Sequence, residues 1–504
     1  MPTDRTSPGR GLAQTVLQTV PLTAAAVVLL DTATDFFPDE PLTGVLTPVR
    51  LTLLLGLVAL LAAPGELFAD KPFARRLGLL RTRLDLPVAL LVLAAAATTY
   101  HGGHSTAPLR SLLTSLACFY LVVGVRRSRP ESWRAVGTLA LVATGAAGAA
   151  AFSQFTNDTP TGFCRTGLFT DVSCESGAAG TLIRATGTFA NPNLLAAYLV
   201  LLLPFVLLAA VATDEATART VVIALGLLGY GAVLTTFSRA GYVAAAAGLL
   251  VLGAAYWRTP KSQSSGPPRR GLALGLGVFA VLAVAGALAV LSRAGSSLGV
   301  RGEAWEAAVR LGTENPLGVG LGRAGTTVSA AVPSPRTFVH SHNLWLNWLA
   351  EAGLLGLLAI LSVTGVALYS ALRAARAKSA IGIVGLAGLT GFLLMCMLDH
   401  PANLERVDLL FWLALGFVMA EAPASWRRSA TEPPRIAPPR HGPRHGRTAR
   451  TPGGIPGSAP GSTPSSTPSS SAAPLPGPVG AAPMSAAPVS AAPGDRPPAP
   501  YSGS

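Results

Sequence analysis

The residues best suited to chemistry fall in one short stretch, His340-Ser-His-Asn-Leu-Trp-Leu-Asn-Trp-Leu-Ala-Glu-Ala-Gly-Leu-Leu-Gly356, which leaves a polar loop and enters a long apolar run. Imidazole titrates near neutral pH, so a histidine held at an aqueous face can take a hydroxyl proton during group transfer. His340 and His342 also form a His-x-His pair that offers two zinc ligands, although the neighbouring sequence supplies no convincing third. Taken singly, either histidine is equally well a loop residue with no role. Trp345 and Trp348 suit a membrane interface, and Glu351 is a costly acid near or within a membrane. Gly353 and Gly356 are spaced to let helices pack closely.

Arginine supplies the second set of candidates. Arg165, Arg184, Arg239, Arg293, Arg301, Arg310, Arg323, Arg336 and Arg406 lie on the side of the membrane where positive charge is normally sparse. A guanidinium presents paired donors that match phosphate oxygens, so a cluster of them at the surface suits a diphosphate whose lipid tail stays in the bilayer. The plainer reading is a chain that uses Arg in place of Lys everywhere. Arg184 opens the stretch Arg184-Ala-Thr-Gly-Thr-Phe-Ala-Asn-Pro-Asn193, in which Asn191-Pro192-Asn193 predicts a helix start. Arg184 then sits just outside a helix N-terminus, where backbone N–H groups also favour anions. Arg239 lies in Phe237-Ser-Arg-Ala-Gly241, a tight turn that makes it either a lipid-phosphate anchor or a ligand contact. Cys164 and Cys174 face an oxidising compartment at short separation, and a disulfide there restrains the loop by roughly 2–3 kcal/mol. Free thiols are the alternative, and Cys118 and Cys396 read as packing residues inside apolar runs.

The elements that must hold these residues are membrane helices. Of 504 residues, 50% are hydrophobic and 12% charged, about half the charged fraction of a soluble chain. Apolar runs long enough to cross a bilayer occur at Leu12–Leu30, Gly44–Ala63, Leu84–Tyr100, Pro108–Val125, Ala135–Phe152 and Leu194–Ala212. Others follow at Thr220–Phe237, Ala240–Tyr256, Gly271–Leu291, Leu344–Leu372, Ile381–Leu398 and, more weakly, Val407–Ala422. The expected fold is an all-α polytopic membrane protein of about twelve spans, with two long extracytoplasmic loops at Ser153–Phe189 and Ser292–Asn343. This composition excludes a secreted domain, a cytosolic enzyme and a peripheral nucleic-acid binder as the main body, and the runs lack the alternation of a β-barrel.

Loops carrying Lys71, Arg75, Arg76, Arg81 and Arg83, then Arg126, Arg127, Arg129 and Arg134, alternate with loops poor in positive charge. Arg258, Lys261, Arg269, Arg270, Arg373, Arg376 and Lys378 continue the pattern, which places both termini in the cytoplasm. Residues 1–423 form the membrane domain, and residues 424–504 form a Pro-, Ser-, Ala- and Arg-rich tail expected to be disordered. The tail carries much of the net charge of +14, which suits anionic head groups, and the absence of interleaved aromatics argues against nucleic acid as a partner.

These segments together resemble the O-antigen ligase and polymerase superfamily of integral membrane glycan transferases. The ligase pattern is His, then Asn, Ser or Gln, nine residues, then Gly-x-x-Gly. His342-Asn343, Leu344–Ala352 and Gly353-Leu-Leu-Gly356 match it, whereas His340 does not fit the spacing. The Arg184–Asn193 stretch resembles the family's Gly-x-Phe-x-Asn-Pro-Asn segment, and Ser238-Arg239-Ala-Gly241 resembles its Ser-Arg-Gly turn. Arg301-Gly-Glu-Ala-Trp305 and Asn315-Pro-Leu-Gly-Val-Gly-Leu-Gly322 resemble the loop before the histidine. The resemblance covers about 152–372. It implies transfer of a glycan from an undecaprenyl-diphosphate carrier to an acceptor hydroxyl at the outer face, with no cofactor and no metal. In that reading His342 activates the hydroxyl, Arg184 and Arg301 neutralise the departing diphosphate, and Arg239 is a secondary phosphate contact. The acceptor is a lipid, a glycan or a protein.

Three rivals remain at the level of sequence. A polymerase of lipid-linked repeat units shares the same segments. A metal-dependent polyprenyl-phosphate-sugar transferase would use acids in the first outer loop, where Asp31, Asp35, Asp39 and Glu40 fall. A polysaccharide flippase or other transporter would need polar or broken spans along a central pathway.

Overall fold

The computed structural model describes residues 8–38, 40–62, 77–166, 170–172, 174, 181–257, 300–333 and 337–421, and the side chains of these from residue 19 onward except at 170–172, 256, 257 and 300. The expected ninth span Gly271–Leu291 and the tail from 424 lie outside the described residues. So do Arg293, Arg336, Asp39, Lys71, Arg75, Arg76, Arg258, Lys261, Arg269 and Arg270.

The described chain is mostly helix, as its apolar runs dictate: with no water to satisfy backbone groups in a bilayer, a spanning segment satisfies them internally. In chain order the first helices are α1 (Pro8–Thr34), α2 (Pro48–Ala62), α3 (Asp85–His101), α4 (Ala107–Ser128) and α5 (Trp133–Thr156). A small antiparallel sheet of β1 (Cys164–Thr166), β2 (Thr170–Val172) and β3 (Thr181–Ile183) follows, in the order β2-β1-β3. Then come α6 (Pro192–Ala212), α7 (Ala216–Thr235), α8 (Arg239–Trp257), α9 (Val300–Glu314), α10 (Ala324–Ala331), α11 (Leu344–Arg376), α12 (Ala380–Cys396) and α13 (Glu405–Glu421). Among the described residues, five helical segments are long and apolar enough to cross a membrane: Ala107–Ser128, Pro130–Thr156, Pro192–Ala212, Ala216–Thr235 and Leu344–Arg376. Shorter apolar helices cover Thr19–Thr34, Pro48–Ala62, Asp85–His101, Arg239–Ala255 and Ala380–Cys396.

Helix α6 is the central one, apolar on every side, with Leu195, Tyr198, Leu199 and Leu201 fully enclosed. A helix of that kind belongs in the middle of a bundle. Its start is fixed by the signal read in the sequence: Asn191 caps the helix by accepting the Asn193 N–H at 2.8 Å, and Pro192 occupies the first turn.

Four side-chain contacts define one end of the bundle. Thr188 donates to the Ala33 carbonyl at the end of α1, and the Gln154 amide at the end of α5 donates to the Gly187 carbonyl. Arg184 reaches the Thr236 carbonyl just after α7, and Asn193 on α6 reaches Asp399 just after α12. The opposite end is marked by the Arg126–Glu421 ion pair at 2.7 Å, by Ser379 donating to the same carboxylate, and by Arg127 donating to the carbonyls of Leu79 and Met419.

Both long loops expected at the first end are folded where they are described. The sheet in the first carries a Cys164–Cys174 disulfide and delivers Arg184 directly after β3, with the Arg184 N–H bonded to the Phe163 carbonyl at 2.9 Å. The second holds α9 and α10, which build a small core of their own from Ala304, Ala308, Leu311, Val328 and Phe338 over Ala350 of α11.

The span expected to run unbroken from Leu344 to Leu372 is interrupted. Ala352 leaves helical geometry and Gly353 adopts φ +66°, a region that favours glycine. The loop at 315–320 docks into the break. Val319 N–H bonds the Ala350 carbonyl at 2.8 Å, and the Glu351 carbonyl takes Gly320 N–H at 3.1 Å and the Thr98 hydroxyl at 2.9 Å. A Cβ on Gly353 would stand 1.9 Å from the Pro316 carbonyl oxygen, and one on Gly356 would meet Ala352 Cβ at 2.5 Å. The expectation that both glycines serve packing between spans is therefore corrected: Gly353 permits the break and seats the loop in it, and Gly356 makes room for Ala352 and Trp348 of the same helix.

Candidate functional site

Asn343 starts α11 in extended geometry and accepts the N–H groups of Trp345 and Leu346, both at 3.0 Å. That cap fixes the chain ahead of it. His342 is held at φ +53°, an uncommon conformation for a side chain of its size, by the Trp305 indole N–H on its carbonyl at 3.1 Å. The Asn343 amide donates to the Met397 carbonyl at 3.0 Å, which ties the start of α11 to the end of α12. Asp399 lies two residues beyond that contact.

Asp399 is the hub of the site. Its Oδ1 lies 2.8 Å from His340 Nε2 and 3.3 Å from His342 Nδ1, and it also accepts the His400 backbone N–H at 2.8 Å. Its Oδ2 accepts the Asn193 amide at 3.1 Å. An ionised carboxylate only accepts, so each histidine presents an N–H to it. His342 then carries its proton on Nδ1 and keeps the Nε2 lone pair available, in a side chain that is 28% exposed. Burial alone would raise the Asp399 carboxyl, but the hydrogen bond from His342, the neighbouring imidazoles and the His400 N–H outweigh it and hold it down at about 2. Burial pushes His340 down to about 4 and His400 to about 3 despite the adjacent carboxylate, so both are neutral at physiological pH. A buried carboxylate behind one ring nitrogen, with the other nitrogen facing outward, is the arrangement of a general base whose imidazolium is stabilised as it forms. The ligand atoms of His340, His342 and Asp399 also lie within 4.8 Å of one another, so the fold supplies the third metal ligand that the local sequence lacked.

The arginines separate into groups. Arg184, buried at 9% exposure, donates from Nε to the Thr236 carbonyl at 3.0 Å and from Nη2 to Asn193 Oδ1 at 3.2 Å. A continuous chain Arg184–Asn193–Asp399–His342 results, which brings two of the sequence candidates to one site. Arg301 is half-buried on α9, one turn before Trp305 and on the same face, and Trp305 is the residue that bonds the His342 carbonyl. Arg239 begins α8, three residues after the carbonyl that Arg184 binds, and is half-buried there.

Arg406 is instead a structural clamp: it pairs with Asp35 at 3.4 Å, donates to the Thr188 carbonyl at 2.7 Å and lies 4.6 Å over the Phe189 ring. Arg310 donates to the Ala331 carbonyl, and Arg323 sits 3.1 Å from His104 Nδ1. Arg165 is buried at 3% exposure in β1, opposite Asp171 of β2. Two of the acids expected in the first outer loop are engaged, Asp35 with Arg406 and Asp31 by accepting the Phe37 N–H at 2.9 Å.

Sequence reasoning missed Asp399 and His400. The signal was faint but present: Asp399-His-Pro401 closes an apolar run, and an acid at that depth is costly unless it is used. Asn193 was read as part of a helix start, whereas its amide also joins Arg184 to Asp399.

Residues 221–361 match the family model described as O-antigen ligase. The matched stretch contains Arg239, Arg301 and His342, and it stops short of Arg184 and Asn193 on one side and Asp399 on the other. No curated protein matches the chain.

Proposed function

Since the chain belongs to the O-antigen ligase superfamily, we propose that it moves a saccharide chain from an undecaprenyl-diphosphate carrier to a hydroxyl of a lipid, glycan or protein acceptor. The reaction takes place at the outer face of the cytoplasmic membrane, with both termini inside. The observation that carries this reading is the Asp399–His342 contact at 3.3 Å, which engages Nδ1 and leaves Nε2 to a side chain that is 28% exposed.

His342 Nε2 takes the proton of the acceptor hydroxyl as its oxygen attacks the anomeric carbon of the first sugar. The bond from that carbon to the phosphate oxygen breaks, and its electron pair leaves with undecaprenyl diphosphate. Asp399 stabilises the imidazolium, which then releases its proton to the leaving diphosphate or to water. Arg184 and Arg301 neutralise charge developing on the diphosphate, and Arg239 is a further phosphate contact. No step calls for a metal or cofactor.

His342→Ala is expected to abolish polymer transfer with the protein still present in the membrane; wild-type transfer by this variant overturns the assignment. Arg184→Ala and Arg301→Ala should weaken binding of undecaprenyl diphosphate to the full chain in nanodiscs, and undiminished binding removes their role. Transfer should withstand EDTA. Loss that zinc restores would instead assign His340, His342 and Asp399 to a metal. A deletion strain should accumulate long lipid-linked polymer, whereas single lipid-linked repeat units would make the chain a polymerase.

A further inference from the structure

Zinc takes three or four nitrogen, oxygen or sulfur donors at about 2.0–2.3 Å from one point. The His-x-His pair offers two such donors, and the fold brings Asp399 to them, so that His340 Nε2, His342 Nδ1 and the carboxylate lie within 4.8 Å of one another. Donors around a tetrahedral zinc ion stand roughly 3.3 Å apart. His342 Nδ1 is already 3.3 Å from Asp399 Oδ1, and His340 Nε2, at 2.8 Å, would recede by roughly 0.5 Å. The two nitrogens would close on each other by at most about 1.5 Å, which side-chain rotation supplies.

The surroundings suit an ion. Asp399 is held by the Asn193 amide on Oδ2 and the His400 N–H on Oδ1, the outer hydrogen bonds that orient a metal-binding carboxylate. His342 is partly exposed, so an ion can enter from solvent and keep water as a fourth ligand. Zinc takes lone pairs, however, and both nitrogens now present an N–H to Asp399. Ligation therefore requires each neutral ring to move its proton to its other nitrogen. His340 Nδ1 has no hydrogen-bond partner within the protein, so the exchange breaks no other contact there. At His342 the proton arrives on Nε2, the atom that must be bare to take the proton of the acceptor hydroxyl.

We propose that His340, His342 and Asp399 form an inhibitory zinc site, whose occupation stops transfer by locking His342 in the tautomer that cannot act as a base. The proposal rests on the transfer reading above and makes zinc an inhibitor of that reaction, not its cofactor. A hard ion such as Mg2+ prefers an all-oxygen shell and is not held by two imidazoles.

The test measures polymer transfer in membranes carrying the full chain, with zinc or Mg2+ added. Zinc should lower transfer about a hundredfold or more, the contribution of a general base, and EDTA should restore it. Mg2+ should change nothing. Transfer that ignores zinc, requires it, or falls equally with Mg2+ overturns the proposal. Whatever transfer His340→Gln retains should no longer respond to zinc; continued inhibition would mean that zinc acts on the donor diphosphate, and also overturns it. A second measurement does not depend on activity. Co2+ added in place of zinc to the full chain in nanodiscs should give the visible absorption of a tetrahedral ion, with affinity more than about a hundredfold weaker in His340→Gln. No such absorption in the wild-type chain overturns the site. The two readings fail separately: active His342→Ala removes the transfer mechanism even if cobalt binds, whereas inactive His342→Ala with no cobalt bound by the wild-type chain removes only the zinc site.

Discussion

At the scale of single residues, the site turns on one carboxylate that receives N–H groups from Asn193, His340, His342 and His400. Asp399→Asn keeps the shape but removes the charge, and its amide would point a donor at the Asn193 amide. Transfer is expected to fall about a thousandfold or more, as when a histidine base loses its carboxylate. Adding Asn193→Asp turns that contact back into donor and acceptor. The double variant should regain thermal stability in detergent without regaining transfer, because the charge no longer faces His342. Recovery of transfer would show that Asp399 serves only to hold the fold.

The same residues fix the response to acid. Above pH 6.5, His340 and His400 are neutral in both folded and unfolded chains and contribute nothing to the pH dependence. Below it the unfolded chain takes protons that the folded chain refuses until about 4 and about 3, so stability falls with pH. Asp399 adds to the loss: its stabilisation is complete above 3.8 and disappears as pH falls toward about 2. The thermal midpoint should therefore decline from pH 7 to pH 4, and His400→Gln should flatten the decline. A midpoint that is level or rising toward acid contradicts the burial of these rings as neutral species. His342 and Arg184 were legible because each sits in a short segment with its own signature. Asp399 was not, because it joins His342 from 57 residues away and only folding brings them together.

At the scale of elements, the break in α11 makes a contrast between two glycines of the same helix. Gly353 combines φ +66° with a backbone carbonyl 1.9 Å from where a Cβ would be, whereas Gly365 has open space around its missing side chain. Gly353→Ala should destabilise the chain by about 2 kcal/mol or more and reduce transfer, since the displaced loop at 315–320 is continuous with α10. Gly365→Ala should leave transfer intact and stabilise the helix by up to about 1 kcal/mol. Equal behaviour of the two in thermal unfolding would mean that the break is not held by the loop. A Gly-x-x-Gly spacing reads identically for helix packing and for a kink. Its meaning here is set by Pro316, and nothing local to the motif announces that docking. The sheet supports a parallel argument: Cys164→Ser with Cys174→Ser loosens the strands that deliver Arg184. Undecaprenyl-diphosphate binding should weaken while His342 and Asp399 remain in place.

At the scale of the whole molecule, the apolar runs that fall within the described residues were legible to within about four residues at each end, since a bilayer demands about 20 apolar residues of helix and tolerates little else. The packing of those helices gathers the catalytic candidates and the folded loops at one end and the Arg126–Glu421 cluster at the other. The distribution of Lys and Arg predicts that the second end is cytoplasmic, and that expectation is open to a direct test. Asp158 follows α5 at the first end and Lys378 follows α11 at the second, and both are exposed. The native cysteines give little background, because Cys118 and Cys396 are buried and Cys164 is bonded to Cys174. A membrane-impermeant maleimide should therefore label Asp158→Cys in intact cells, and Lys378→Cys only after the membrane is opened. The reverse pattern would put His342 in the cytoplasm, away from a carrier whose glycan is displayed outside, and would remove the proposed reaction along with the topology.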